Sequence, residues 1–187
     1  MKFIKMIFVS LSIIFLLSSC SLRRKSESEI MSEIYSDVMA YEFSLGSRGN
    51  IDYCQAGDLV ISSLTVTEVF PFDRSDWERS KRVFPRLEQE TWENFVQVSS
   101  EQVPFPADLD LGCMYTLLDV KQNPPDWSRE NCIGIEYFSQ IGFNSRKNQA
   151  LVYREATCGD FGFSNLYFAE LVDGRWIVTD MAEGYIT

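Results

Sequence analysis

The sequence predicts an α+β domain, with amino-terminal helices packed on one face of a curved antiparallel sheet and a carboxy-terminal β-meander. Three observations predict it. Apolar residues recur at helical spacing after residue 29, four strand-like runs crowd the last third, and Asp173-Gly174 sits between two of those runs. Asp-Gly between alternating apolar segments is a strong hairpin signal, and helices grouped ahead of a meander point to α+β.

Ser26-Glu27-Ser28-Glu29 forms a capping box, with Ser26 as N-cap and Glu29 at the third helical position. Ile30, Met31, Ile34, Tyr35, Val38 and Met39 then mark one apolar helix face, and Gly46 is expected to end it. Residues 47–57 read as a loop. Leu59 to Thr67 is rich in β-branched residues and reads as a strand, broken by Phe70-Pro71-Phe72. Pro85 is placed to start a helix carrying Leu87, Thr91 and Phe95 on one face. Pro104 and Pro106 mark a connector, Cys113–Val120 a second strand, and Asn123–Trp127 a loop. Strands follow at Ile135–Phe143 and Gln149–Thr157, separated by the polar turn Asn144–Asn148. The glycine-bearing run Cys158–Asn165 then leads to the hairpin strands Leu166–Val172 and Arg175–Met181.

The amino terminus reads as an address. Lys2 and Lys5 precede an apolar run from Met6 to Leu17, too short to span a bilayer, and Ser18-Ser19-Cys20 closes it. Leu17-Ser18-Ser19-Cys20 resembles the lipobox of bacterial lipoproteins. The resemblance implies cleavage before Cys20 and acylation of its thiol, with residues 1–19 as signal peptide, 20–29 as lipidated tether and 30–187 as one extracytoplasmic domain. The expected location is the bacterial cell envelope, membrane-anchored. Ser21, rather than an aspartate, implies the outer membrane in a Gram-negative cell. Arg23, Arg24 and Lys25 beside the anchor either meet anionic headgroups or form a solvated tether.

Removing residues 1–19 takes two lysines and no acid from 17 basic and 27 acidic residues, so the mature chain has a net charge of −12. That balance disfavours nucleic acid and favours a basic partner. There is no histidine, which excludes His-based triads, His-ligated metals and a His pH switch. The four cysteines of the mature chain, Cys54, Cys113, Cys132 and Cys158, are spaced unlike a zinc site. In an exported protein they are expected to form two disulfides. Three connectivities are open; Cys113–Cys132 with Cys54–Cys158 is the preferred one. Asp108-Leu109-Asp110-Leu111-Gly112 lacks the remaining ligands of a calcium loop and reads as the approach to a strand. No phosphate-binding loop or nucleophile elbow occurs, and no cofactor or metal is expected. Phe161, Phe163 and Trp127 on loops are candidate contact residues; the alternative is that they cover the core or one end of the sheet.

Phe138-Ser139-Gln140-Ile141-Gly142-Phe143-Asn144, Gln149-Ala150-Leu151-Val152-Tyr153, Cys158-Gly159 and Gly174-x-Trp176-x-Val178 together resemble a functionally uncharacterised family of bacterial exported proteins, many of them lipoproteins. The likeness extends over most of residues 30–187. The family often has a second cysteine shortly after the first. Phe161 stands in its place here, so Cys158 must pair at long range or stay free. The element order is also similar to that of cystatin-like and NTF2-like folds. The resulting expectation is a lipid-anchored, non-enzymatic envelope module, an inhibitor or immunity-type protein for a basic secreted protein. The rival is an envelope hydrolase with a carboxylate pair in a pocket of the sheet.

Overall fold

The computed structural model describes residues 25–44, 59–67, 77–112, 114–123, 134–158 and 161–186. Cys20, Cys54, Cys113, Cys132 and Trp127 lie outside the described residues, as do the side chains of Cys158 and Phe161.

Three helices and a seven-stranded mixed sheet are described: α1 (Glu27–Ser44), β1 (Leu59–Ser62), α2 (Trp77–Val83), α3 (Gln89–Val98), β2 (Tyr115–Leu118), β3 (Ile135–Phe138), β4 (Gly142–Phe143), β5 (Gln149–Cys158), β6 (Phe161–Val172) and β7 (Arg175–Ile186). The α+β class and the carboxy-terminal meander are as the sequence predicts. The strand order is β2-β1-β3-β5-β6-β7, with β4 paired to β5 beside β3. From β3 onward the sheet is antiparallel, but β1 lies parallel to both β2 and β3. Parallel neighbours cannot be joined by a hairpin. The chain between β1 and β2 accordingly carries both α2 and α3.

Helices cover both sheet faces, not one as expected. Ladder partners point to the same face, so β5 and β6 sort their side chains cleanly. Val152 and Tyr167 face α1 and pack with Ile34, Tyr35 and Val38. Leu151, Tyr153, Leu166 and Phe168 face the other way and pack with Phe84, Leu87, Trp92 and Phe95. Both sets are buried because strands covered on each side have no solvent face.

Local chemistry explains the elements. The capping box forms: Glu29 N donates to Ser26 Oγ at 3.2 Å, and Ser26 N donates to Glu29 Oε2 at 2.7 Å. Pro85 does not open α3. It occupies the second position of a turn in which Leu87 N donates to Phe84 O, and α3 begins at Gln89. The strand expected over 135–143 breaks into β3 and β4 at Ser139, and β6 starts at Phe161 rather than Leu166. Asp173 (φ 50°) and Gly174 (φ 78°) make the tight β6–β7 turn, in which two positive φ values match the twist of the flanking strands.

Candidate binding groove

Ser139, Gly142, Phe143, Asn144 and Gln149 are joints between layers. Ser139 bridges the break between β3 and β4. Its N donates to Tyr153 O, its hydroxyl accepts from Tyr153 N at 2.9 Å, and its carbonyl accepts from the Tyr35 hydroxyl at 3.0 Å. Burial pushes the Tyr35 phenol well above its ordinary range, so it stays a neutral donor there. Gly142 lies against α3 so closely that a Cβ would fall 2.3 Å from Phe95 Cα. Phe143 meets the Trp176 ring edge-on at 5.6 Å. Asn144 Oδ1 accepts from the backbone N of Asn148 and Gln149, while its amide donates to Glu88 and Asn148. Gln149 caps α3 from outside: its Oε1 accepts from Glu88 N at 2.9 Å and from the Thr91 hydroxyl at 3.3 Å. Its amide nitrogen donates to Arg86 O. None of these side chains is left over for chemistry on a ligand.

Two clefts flank α1. The first, about 620 Å³, lies between Glu27 and Met31 of α1, Glu93 and Asn94 of α3, and Ile141 and Phe143 at the β4 edge. Two of its amides are engaged in packing: Asn94 Oδ1 accepts from Phe143 N at 2.7 Å, and Gln140 donates to Val98 O and Glu101 O.

The second cleft, about 600 Å³, is a groove along another flank of α1. Its helical wall repeats every four residues: Ser28, Ser32, Ser36 and Ala40 beside Glu29, Glu33 and Asp37. Small side chains let the Asp108–Asp110 segment approach the helix. Ser32 Oγ accepts from Asp110 N at 3.1 Å, and Ser36 Oγ donates to Asp110 O at 3.0 Å. Asp108 and Asp110 form the far wall, and Lys25, Arg175 and Trp176 close one end. Five carboxylates thus face two cations. Part of this charge is structural, since Asp37 Oδ2 accepts from Val178 N at 2.6 Å and Glu33 pairs with Lys25. Burial raises the Tyr115 phenol, with the Asp108 charge adding to the shift. Leu109 and Leu111 are buried while the aspartates point outward, which explains the acid–leucine alternation. Among the described residues no group of three or more Cys, Asp or Glu could hold a metal ion.

Of the predicted contact residues, Trp127 lies outside the described residues, and Phe161 and Phe163 fall two positions apart on β6. Phe163 is not on a loop; it lies within β6, half-buried, with the Arg154 guanidinium 5.0 Å from its ring centre. Phe161 is also a β6 residue, paired in the ladder with Cys158. Arg154 makes a buried ion pair with Glu136, Nε to Oε2 at 2.8 Å, on the α1-covered face. Sequence reasoning missed this pair, although a charged residue inside each of two apolar strand runs was its visible signal.

Compared with known proteins, the chain matches no family model, no curated protein and no solved structure.

Proposed function

We propose that this is a lipid-anchored, non-enzymatic module of the bacterial cell envelope, a member of the exported lipoprotein family it resembles, which holds a cationic segment of a protein partner. The groove beside α1 is the receiving surface, and the single observation that carries the reading is its excess of carboxylates over Lys25 and Arg175. An acidic groove on an acidic, tethered protein raises the encounter rate with a basic partner and orients it. A basic secreted hydrolase of the lysozyme type fits that chemistry, and an inhibitor or immunity-type protein is the corresponding role.

The layer arrangement supports this reading over the hydrolase. A carboxylate pair in a sheet pocket needs an open concave face, whereas α1 covers one face of β5 and β6 and α3 the other. Among the described residues both clefts lie beside α1. The test is titration of the full chain against a cationic lysozyme-type glycosidase and a neutral glycosidase of similar size, at about 50 and 300 mM salt. The expected result is binding of the cationic enzyme alone, weakened about tenfold or more at the higher salt and by E33Q with D108N. Equal binding of both enzymes, or affinity that ignores salt and both substitutions, overturns the reading.

A further inference from the structure

The described chain begins at one end of the sheet. Lys25 Nζ donates to Gly174 O in the β6–β7 turn at 2.8 Å and pairs with Glu33 of α1. The start of α1 and the tip of the last hairpin are therefore held together. Cys20 stands five residues before Lys25 in the sequence, and five extended residues reach at most about 18 Å. If Cys20 is acylated, as the proposed function has it, the start of α1 lies within that distance of the lipid headgroups, and the hairpin tip is one lysine side chain and a 2.8 Å hydrogen bond further.

The composition of that end fits the location. Of five exposed large apolar side chains among the described residues, three flank this turn: Leu171 (40% exposed), Val172 (42%) and Ile177 (40%). Val172 pairs with Arg175 and Ile177 with Glu170 across the ladder, which puts Val172 and Ile177 on one sheet face as diagonal neighbours. Cations surround them. Arg175 is on the hairpin itself, and Lys147 is in the adjoining β4–β5 turn, which Leu171 N joins by donating to Asn148 O. Arg86, whose side chain is 60% exposed, reaches Glu170 at 2.8 Å. Asp173 is the acid within the turn itself. An otherwise strongly acidic chain thus gathers apolar and basic groups where its tether attaches. Apolar tips seated among cations are what the interface of an anionic bilayer accommodates.

We propose that the β6–β7 hairpin end is a membrane-docking surface for an anionic bilayer. Leu171, Val172 and Ile177 sit at the boundary between headgroups and acyl chains, and Arg175 and Lys147 meet the anionic headgroups. The sheet then stands on the membrane with the Cys158 end of β5 and the Phe161 end of β6 away from it, and the acidic groove runs outward along α1 toward a soluble partner. Met114, just before β2, marks the far end, because β2 runs parallel to β3 and β3 antiparallel to β5. Eight residues of β5 separate the two ends by roughly 27 Å.

The test uses the full chain, produced in a bacterial host and reconstituted in vesicles of phosphatidylcholine with one quarter phosphatidylglycerol. A photo-crosslinking phenylalanine analogue is placed at position 172 or, in a second preparation, at position 114. Met114 is 80% exposed against 42% for Val172, so accessibility alone would favour adducts at position 114. Lipid adducts are expected at position 172 several-fold above position 114, and lost on adding R175E with I177S to a protein that unfolds in urea like the parent. Adducts at both positions alike, or none at 172, overturn the docking surface. Mass spectrometry of the peptide bearing Cys20 reads the anchor independently. An acylated Cys20 with no adduct at 172 refutes docking and leaves the lipoprotein reading intact. Adducts at 172 with an unmodified Cys20 support docking and refute the anchor.

Discussion

Gly142→Ala is the sharpest test of how the layers are joined. The new Cβ would stand 2.3 Å from Phe95 Cα and 2.5 Å from both its N and its Cβ, where contacts tighter than about 3.4 Å force a neighbour to give. Two of those three atoms are helix backbone, so no rotamer relieves the clash and α3 itself must withdraw by about 1 Å. Withdrawal lifts Trp92 and Phe95 off Leu151 and Tyr153, and a gap of that size forfeits a quarter to a half of the dispersion attraction at each affected contact. Overpacking typically costs about 1–3 kcal/mol, and with the lost contacts we expect about 3–4 kcal/mol. In a domain of this size that is a fall in Tm of roughly 10 °C. Urea unfolding followed by tryptophan fluorescence measures it, with Gly134→Ala as control, since a Cβ at Gly134 meets nothing closer than Thr157 O at 3.9 Å. If Gly142→Ala stays within about 1 kcal/mol of the parent, the close approach of β4 and α3 is not a constraint and the reasoning fails.

Other substitutions probe the same seams. Asn144→Asp keeps the acceptor for Asn148 N and Gln149 N but sets a carboxylate where an amide donates to Glu88, and should cost about 2–3 kcal/mol by urea titration. Glu136→Ala leaves the Arg154 charge buried and should cost about 3–5 kcal/mol, whereas Glu136→Leu with Arg154→Met should recover most of it in a double-mutant cycle. Burial raises the Tyr35 phenol above its unfolded value, so the native state holds a proton that the unfolded chain releases at alkaline pH. Stability should therefore be intact below about pH 10 and fall above it, by up to about 1.4 kcal/mol per pH unit from this group, and Tyr35→Phe should flatten that slope in alkaline thermal melts.

Signals confined to one segment were legible in the sequence. The capping box at Ser26, the apolar stripe from Ile30 to Met39 and the Asp173-Gly174 hairpin each depend on residues a few positions apart, and each is found as expected. Features that depend on distant partners were not legible. Pro85 looked like a helix start because nothing local shows that Gln149, far along the chain, caps α3 at Glu88 instead. The break between β3 and β4 was hidden because Ser139 replaces ladder bonds with its own hydroxyl, which leaves the apolar pattern of 135–143 uninterrupted. Helix α2 was missed because its seven residues are largely charged and carry too little apolar periodicity to register. The two-sided cover of the sheet was concealed differently: runs such as Ala150–Tyr153 are apolar at every position, which says that both faces are buried but not by what.

That division bears on where function can reside. Ser139, Gly142, Asn144, Gln149, Trp176 and Val178, the residues on which the sequence resemblance was read, each join a helix, strand or turn to another in this fold. Residues committed to such joints specify the architecture rather than a ligand. Specificity must then come from surfaces that the joints do not occupy. The flank of α1 is such a surface, because Ser28 and Asp108 can vary without breaking a contact between the helix layers and the sheet, whereas Glu33 holds the Lys25 that reaches the β6–β7 turn. The packing asks of this wall small residues where Asp110 approaches, a carboxylate at Asp37 for Val178 N, Glu29 for the capping box and Glu33 for Lys25. Asp108 and Asp110 on the far wall exceed what the joining of the layers requires, and on the proposed reading they are the part of the groove that faces a partner.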